Sequence, residues 1–211
     1  MLSQATKVAV NERVHRVTQS SDRWRAIDQL RTDFGDGIDF AEGLALLGGE
    51  PALGPAGVGA RLAASFTGPF RQGRFSDGSY GVLYTARKHL TANKEYAHWT
   101  PHSYNPRADR PYKVRLQLVS CVVQGPGKDV RRLLPRFPWL IDDDYTQCRA
   151  LGLAAKAEGL YCLIAPSARD RQGGVTVPVF DIAAVSDGQQ EGSVLFTIYA
   201  GRPTTYRTTF A

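Results

Sequence analysis

One segment of the chain alternates cleanly between apolar and polar residues. From 112 to 123, the apolar side chains Val114, Leu116 and Leu118 are separated by charged or amide side chains. Successive side chains of a β-strand point to opposite faces of the sheet, so this period of two predicts a strand with one buried face. A chain that contains such a strand must build a sheet around it and cover the apolar face.

Other segments are predicted as strands and helices in an irregular order. Further strands are expected near 11–18, 82–86, 160–165, 175–182 and 193–199. Helices are expected near 22–32, 88–99 and 142–158. The Gly-, Ala- and Pro-rich stretch from 43 to 59 is predicted as a loop or a weak helix. Strands mixed irregularly with helices indicate an α+β domain, with a mixed sheet flanked by helices, rather than a doubly wound fold.

The composition is that of a folded domain. The chain has 211 residues, of which 43% are hydrophobic and 22% are charged, and this suits one domain. No apolar run approaches the roughly 18 residues of a membrane-spanning helix, and residues 1–20 lack the apolar core of a secretory signal. The three cysteines, Cys121, Cys148 and Cys162, form no CxxC pair. We therefore expect reduced thiols, a cytoplasmic location and no membrane partner.

The positive charge of the chain leaves several kinds of partner open. A formal net charge of +6 suits nucleic acid, an anionic small molecule or an acidic protein. The densest basic cluster consists of Lys128, Arg131, Arg132 and Arg136, and it lacks the interleaved aromatic residues typical of single-strand binding. Direct nucleic-acid binding is therefore kept only as an alternative.

Several standard catalytic and metal-binding motifs are missing from the sequence. It contains no GxGxxG, Walker loop, GxSxG or HExxH motif. His98 and His102 have the spacing of two metal ligands on a helix, but Pro101 interrupts helical continuation between them. We predict no metal site.

Three residues with catalytic chemistry follow one another through the middle of the chain. Arg74 lies in a glycine-flanked turn, Tyr84 on the short strand that follows, and Glu95 on the next predicted helix. From spacing alone, each also fits an ordinary role as a surface arginine, a packing tyrosine or a solvated glutamate.

The residues around this triplet resemble the signature of the RES family. The run GRFSDGSYGVLYTA from 73 to 86 is followed by Ala92 and Glu95-Tyr96. A second match is the LIAPSAR run from 163 to 169, and a third is His15-Arg16-Val17 near the start. The resemblance spans residues 13 to 182, and the order Arg-Tyr-Glu-Ser is far more specific than any single piece.

The resemblance implies a fold similar to that of ADP-ribosyltransferase toxins. It also implies an enzyme that consumes NAD+ as its substrate, acting as the toxin of a toxin–antitoxin system with an Xre-like antitoxin as partner. We expect a single RES-type domain over 1–211, with an extra N-terminal segment at about 19–68. A binding module whose enzyme site has decayed is disfavoured because the family's site residues are intact.

The resemblance assigns roles that agree with the chemistry of NAD+. Arg74 would clamp the pyrophosphate, because a guanidinium can donate two parallel hydrogen bonds. Tyr84 would stack on the cationic nicotinamide ring. Glu95 would bind the ribose hydroxyls and stabilise positive charge at the anomeric carbon. Further contacts to the ribose or the phosphates are implied for Ser167, Arg16 and Arg169.

The acceptor of the ADP-ribosyl group stays open at this point. Water would make the protein an NAD+ glycohydrolase, and inorganic phosphate as co-substrate would make it an NAD+ phosphorylase. A protein side chain would make it an ADP-ribosyltransferase. NAD+ is the substrate in all three cases, so no cofactor is expected, and phosphorolysis or hydrolysis is favoured over protein modification.

Overall fold

A mixed β-sheet dominates the computed structural model, which describes residues 1–18, 55–99, 111–199 and 202–211. The described strands are β1 (Thr6–Thr18), β2 (Leu83–Ala86), β3 (Tyr112–Asp129), β4 (Cys162–Pro166), β5 (Val175–Val179), β6 (Val185–Tyr199) and β7 (Arg202–Phe210). The described α-helices are α1 (Pro55–Ala63), α2 (His89–Trp99) and α3 (Thr146–Ala157). Short 3-10 helices occupy Leu2–Gln4, Ala64–Phe66, Arg131–Leu133, Pro138–Ile141 and Ile182–Ala184.

The sheet is partly closed on itself. Its strand order is β1-β2-β5-β4-β3-β6-β7, and an additional pairing joins β1 to β3. This pairing closes β1, β2, β5, β4 and β3 into a ring, from which β6 and β7 extend. The β3–β4 pair is parallel, whereas the other pairs are antiparallel. The predicted α+β class with a mixed sheet flanked by helices is therefore confirmed.

Strand β3 is the centre of this sheet and is longer than predicted. Val114, Leu116 and Leu118 are fully buried, as the alternation predicts, but Gln117, Val119 and Cys121 on the opposite face are buried as well, so both faces of this part of the strand are covered. The strand continues past 123 to Asp129, because all of β1 pairs with it, from Thr6 opposite Asp129 to Thr18 opposite Gln117. The Gln-Gly-Pro-Gly run that follows 123 has weak strand propensity, and tertiary pairing overrides it.

Two apolar layers lie on opposite faces of the ring strands. Along β4, Cys162 and Ile164 join the cluster covered by α1, whereas Leu163 and Ala165 join the cluster covered by α3. A third cluster lies around Phe196 on the extension, where Tyr96 of α2 packs against it. The three helices thus cover separate apolar surfaces, and α2 and the start of α3 lie near the carboxyl end of β4.

Several element boundaries differ from the predictions. β1 begins at Thr6 rather than near 11, β5 ends at Val179 rather than 182, and β6 begins at Val185 rather than 193. β7 is absent from the predictions because its sequence, RPTTYRTTF, is polar and largely exposed on both faces. The described end of the Gly-rich stretch is helical, since Val58 and Leu62 are buried one turn apart. The helix predicted at 22–32 lies outside the described residues.

The three cysteines are free, as predicted, and all three are buried. Burial raises the pKa of Cys121 to about 11 and that of Cys162 to about 12, so both thiols stay protonated at neutral pH. In the part of the chain that the structure describes, no helix is both long enough and apolar enough to span a membrane.

Candidate active site

The turn that follows β4 is organised by a buried serine hydroxyl. Ser167 Oγ accepts hydrogen bonds from the backbone N–H groups of Asp170, at 2.9 Å, and Arg169, at 3.2 Å. The same hydroxyl donates to Glu95 Oε1 at 2.5 Å. The backbone closes the turn through Ser167 N to Gly174 O, at 2.8 Å, and Gly174 N to Asp170 O, at 2.9 Å. Serine favours such turns because its short side chain reaches the backbone two or three residues ahead.

Helix α2 presents Glu95 to this turn and is itself tied to it. One turn before Glu95, the Thr91 hydroxyl donates to Asp170 Oδ2 at 2.7 Å. The Lys94 ammonium donates to Asp170 Oδ1 at 2.6 Å. The predictions did not include Asp170. Its position three residues after Ser167, and the shared helical face of Thr91, Lys94 and Glu95, are the signals that could have found it.

Arg74 contacts the chain immediately before the same turn. Its side chain is buried, with 4% of the residue exposed, and Nη2 donates to the Pro166 carbonyl at 3.0 Å. The guanidinium carbon lies 4.9 Å from the centre of the Phe75 ring. Nε and Nη1 are also buried and have no hydrogen-bond partner among the described residues. A buried cation with unpaired donors is costly, so this arrangement suits the binding of an anion.

Tyr84 holds the loop that carries Arg74. Its hydroxyl accepts a hydrogen bond from the Phe75 N–H at 3.0 Å. A Cβ on Gly73 would lie 2.3 Å from that hydroxyl, so a larger residue there would force the Tyr84 ring to move. Burial raises the pKa of Tyr84, which keeps the phenol neutral. Stacking of its ring on nicotinamide stays a prediction, and anchoring of the loop is a contact that the sequence did not indicate.

The two weaker arginine candidates have protein partners. Arg16 Nη1 donates to the Tyr84 carbonyl at 3.0 Å, and burial lowers the pKa of Arg16. Arg169 Nη2 donates to the Tyr145 hydroxyl at 2.6 Å and lies 2.5 Å from Asp143 Oδ1. Contacts from either arginine to a phosphate therefore stay predictions, and both side chains also have structural roles.

The six predicted site residues form one contiguous set of contacts. Arg16 contacts the backbone of Tyr84, and the Tyr84 hydroxyl binds the residue after Arg74. Arg74 in turn contacts the carbonyl of the residue before Ser167, and the Ser167 hydroxyl donates to Glu95. Arg169 completes the set through its N–H on the Ser167 hydroxyl. The structure thus brings the six residues together, from five separate parts of the chain.

The basic cluster noted in the sequence is largely compensated. Lys128 pairs with Glu158, and Arg131 pairs with Asp129, each at 2.6 Å. Arg136 donates to the side chain of Gln4 at 2.9 Å. Across residues 1–18, 55–99, 111–199 and 202–211, no group of three or more potential metal ligands is found. His102 of the candidate metal pair lies outside those ranges.

Comparison with known proteins identifies the family. Residues 55–197 match the family model of the RES domain. The match covers more than half of the chain, so the chain belongs to the RES domain family. It includes Arg74, Tyr84, Glu95, Ser167 and Arg169, whereas β1 with Arg16 precedes it. The match begins inside the segment that we expected to be extra, and it extends past residue 182 to 197.

Three chains among the solved structures match at a distant level, and no curated protein matches the chain. One of the three is in the structure described next. That structure is described as the crystal structure of the M. tuberculosis MbcT–MbcA toxin–antitoxin complex. The sequence identity is 14%, the alignment covers 87% of this chain and 86% of that chain, and the TM-score is 0.46. A likeness of this degree adds nothing to the family assignment.

Proposed function

We propose that this RES domain is a toxin enzyme that degrades NAD+ by breaking the bond between nicotinamide and ribose. The observation that carries the proposal is the buried Arg74 guanidinium, with two donor nitrogens unpaired among the described residues, beside the Glu95–Ser167 pair. The cationic donor suits the anionic pyrophosphate of NAD+. The carboxylate at the same turn suits the ribose, which becomes positively charged as the bond to nicotinamide breaks.

Arg74 is assigned to the pyrophosphate. Its Nε and Nη1 atoms are unpaired among the described residues, and because these two N–H groups point in different directions, each can donate to a different oxygen of the pyrophosphate. The contact from Nη2 to the Pro166 carbonyl fixes the orientation of that plane. An arginine held in this way loses little side-chain entropy when the anion binds.

Glu95 is assigned to the ribose. When the glycosidic bond breaks, its electron pair moves to the nicotinamide ring and neutralises that ring, and positive charge grows at the anomeric carbon. A carboxylate held nearby stabilises this charge, more strongly in a site shielded from water. Ser167 occupies Oε1, so we assign Oε2 to the ribose hydroxyls.

The acceptor is assigned to phosphate or water. With phosphate, one of its oxygens bonds to the anomeric carbon and gives ADP-ribose 1″-phosphate. With water, the oxygen bonds to the same carbon, a proton is released, and ADP-ribose forms. The buried Arg74 guanidinium, with Nε and Nη1 unpaired among the described residues, supplies positive charge that favours an anion in the site.

A toxin of this kind requires neutralisation in the cell that makes it. We propose an Xre-like antitoxin as the partner, and membership of the RES domain family supports this. The role is tested by expressing, in separate strains, either the natural chain or its Glu95→Gln variant and comparing the growth of the two strains. Growth arrest that the substitution abolishes supports the toxin role, and equal growth of the two strains contradicts it.

The enzyme activity is tested with the purified chain. NAD+ loss and its products are measured with and without inorganic phosphate for the natural chain, Glu95→Gln and Glu158→Gln. Glu158 is the matched control, because this glutamate follows α3 and pairs with Lys128 away from the site. We expect loss with the natural chain and the control, and loss reduced by about 100-fold or more in Glu95→Gln.

The products then separate the acceptors. ADP-ribose 1″-phosphate formed only with phosphate identifies phosphorolysis, and free ADP-ribose under both conditions identifies hydrolysis. Release of nicotinamide with label bound to protein identifies a protein acceptor. Absence of NAD+ loss in both buffers and of label transfer would overturn the proposed activity.

A further inference from the structure

Asp170 is a buried carboxylate for which the proposed chemistry has no role. Only 8% of the residue is exposed. Both of its oxygens are engaged by α2, through Thr91 and Lys94. Its own N–H binds the Ser167 hydroxyl at 2.9 Å. Asp170 therefore contacts both elements that carry the Glu95–Ser167 pair.

The backbone of the turn is built closely around this aspartate. Gly174 donates its N–H to the Asp170 carbonyl, and a Cβ at Gly174 would lie 2.4 Å from the Asp170 Cβ. The aspartate thus has little room to move relative to Ser167. Its carboxylate in turn sets where Thr91 and Lys94, and with them the middle of α2, can lie.

Lys94 makes the charge at this contact important. It directly precedes Glu95, and its ammonium lies 2.6 Å from Asp170. The hydrogen bond from Lys94 holds the pKa of Asp170 below its usual range, so the carboxylate is charged at neutral pH. The pair directs the lysine charge towards the turn that carries Ser167.

We propose that Asp170 is a positioning residue that holds α2 against the turn, so that Glu95 and Ser167 meet in the geometry needed to cleave NAD+. This inference rests on the proposed function of the same site. Asp170 acts through Glu95 and contacts no substrate. Because misplacement of a catalytic group by about 1 Å costs on the order of 100-fold in rate, loss of the tie affects turnover more than binding.

The first test compares Asp170→Asn with Glu158→Gln. Each substitution removes the carboxylate of an ion pair whose nitrogen and oxygen atoms lie 2.6 Å apart. Asp170 pairs with Lys94 at the turn, whereas Glu158 pairs with Lys128 away from it. We expect Asp170→Asn to lower kcat by about 10-fold to 100-fold with KM nearly unchanged, and Glu158→Gln to leave both values near those of the natural chain. An unchanged kcat in Asp170→Asn would overturn the proposal.

The second test asks whether Asp170 acts through Glu95. Residual NAD+ loss is compared between Glu95→Gln and the double variant Glu95→Gln/Asp170→Asn. A positioning role predicts equal rates, because the group that Asp170 positions is already disabled. A further loss equal to that caused by Asp170→Asn alone would show independent action and contradict the proposal.

The third test does not depend on activity. Amide hydrogen exchange over α2 reports how firmly the helix is held, and we expect faster exchange in Asp170→Asn but not in Glu158→Gln. If the natural chain leaves NAD+ intact while exchange over α2 increases, the proposed function fails and the structural tie stands. Unchanged exchange refutes the tie itself. Should Asp170→Asn fail to fold, Thr91→Val and Lys94→Met each remove one of the two contacts and are measured in the same way.

Discussion

The two loops that carry the candidate site are held in different ways. The loop from 73 to 81 is held by close backbone approach: a Cβ on Gly152 of α3 would lie 2.0 Å from the Phe75 carbonyl oxygen. Arg149 Nε also donates to the Gly73 carbonyl at 3.1 Å. The turn from 167 to 174 is held mainly by side-chain hydrogen bonds from α2 and by the Ser167 hydroxyl.

This difference separates the two halves of the proposed chemistry. Close backbone packing and hydrogen bonds with the neutral hydroxyls of Tyr80 and Tyr84 determine the position of the Arg74 loop, and these contacts are insensitive to pH near neutrality. Charge and hydrogen bonding determine where Glu95 meets Ser167, and these respond to pH and to the loss of single atoms. We therefore expect substitutions near the first loop to change stability most, and substitutions near the turn to change activity most.

The largest effect on stability is expected from Gly152→Ala. The new methyl group meets backbone of the neighbouring loop, which cannot move as a flexible side chain does, and we expect a loss of about 2–3 kcal/mol in the free energy of unfolding. Urea unfolding measures it. Gly59→Ala is the control, because a Cβ there meets nothing within 4 Å, and helix propensity predicts a gain of about 0.5–1 kcal/mol. Equal stability of the two variants would contradict steric anchoring of the loop.

The next effect is expected from Tyr84→Phe. This substitution keeps the ring but removes the acceptor of the Phe75 N–H, and an unsatisfied buried donor costs about 1–3 kcal/mol. Urea unfolding and NAD+ loss are measured together. Lower stability with reduced activity supports loop anchoring by the hydroxyl, whereas unchanged values of both would show that only the ring matters.

The turn is expected to weaken in acid. Because the folded-state pKa of Asp170 lies below its ordinary value of about 3.9, its contribution to stability is present above that pH. It is lost as the pH falls through the lowered folded-state value. The Tm difference between the natural chain and Asp170→Asn should stay constant from pH 7 to about 4 and shrink below that. A difference independent of pH throughout would show that the charge is not involved.

The smallest effect is expected from Asp143→Asn, on the outer side of the turn. Its ion pair with Arg169 is short, but the Asp143 side chain is 75% exposed, so solvent screens the interaction. We expect a change of about 0.5 kcal/mol or less in the free energy of unfolding and nearly full activity. A large loss of activity would move Arg169 from a structural to a substrate-binding role.

Local pattern made some of the fold predictable. The alternation along β3 predicts its buried face, and α2 lies within one residue of its predicted bounds. The third helix ends at Ala157, one residue before its predicted end at 158, and Gly159, with φ at +69°, follows its C-cap. β7 was not predictable, because a polar edge strand lacks the apolar period on which such predictions depend.

The sequence by itself determined the family, the class of fold and the order of Arg74, Tyr84, Glu95 and Ser167, because these depend on residue identity and local spacing. Only the tertiary structure decided that β1 closes the sheet against β3, that the Tyr84 hydroxyl anchors the Arg74 loop, and that Asp170 joins α2 to the turn. These contacts join residues far apart in the chain. Their partners are selected by packing and by the need to satisfy buried polar groups, and neither leaves a periodic trace in the sequence.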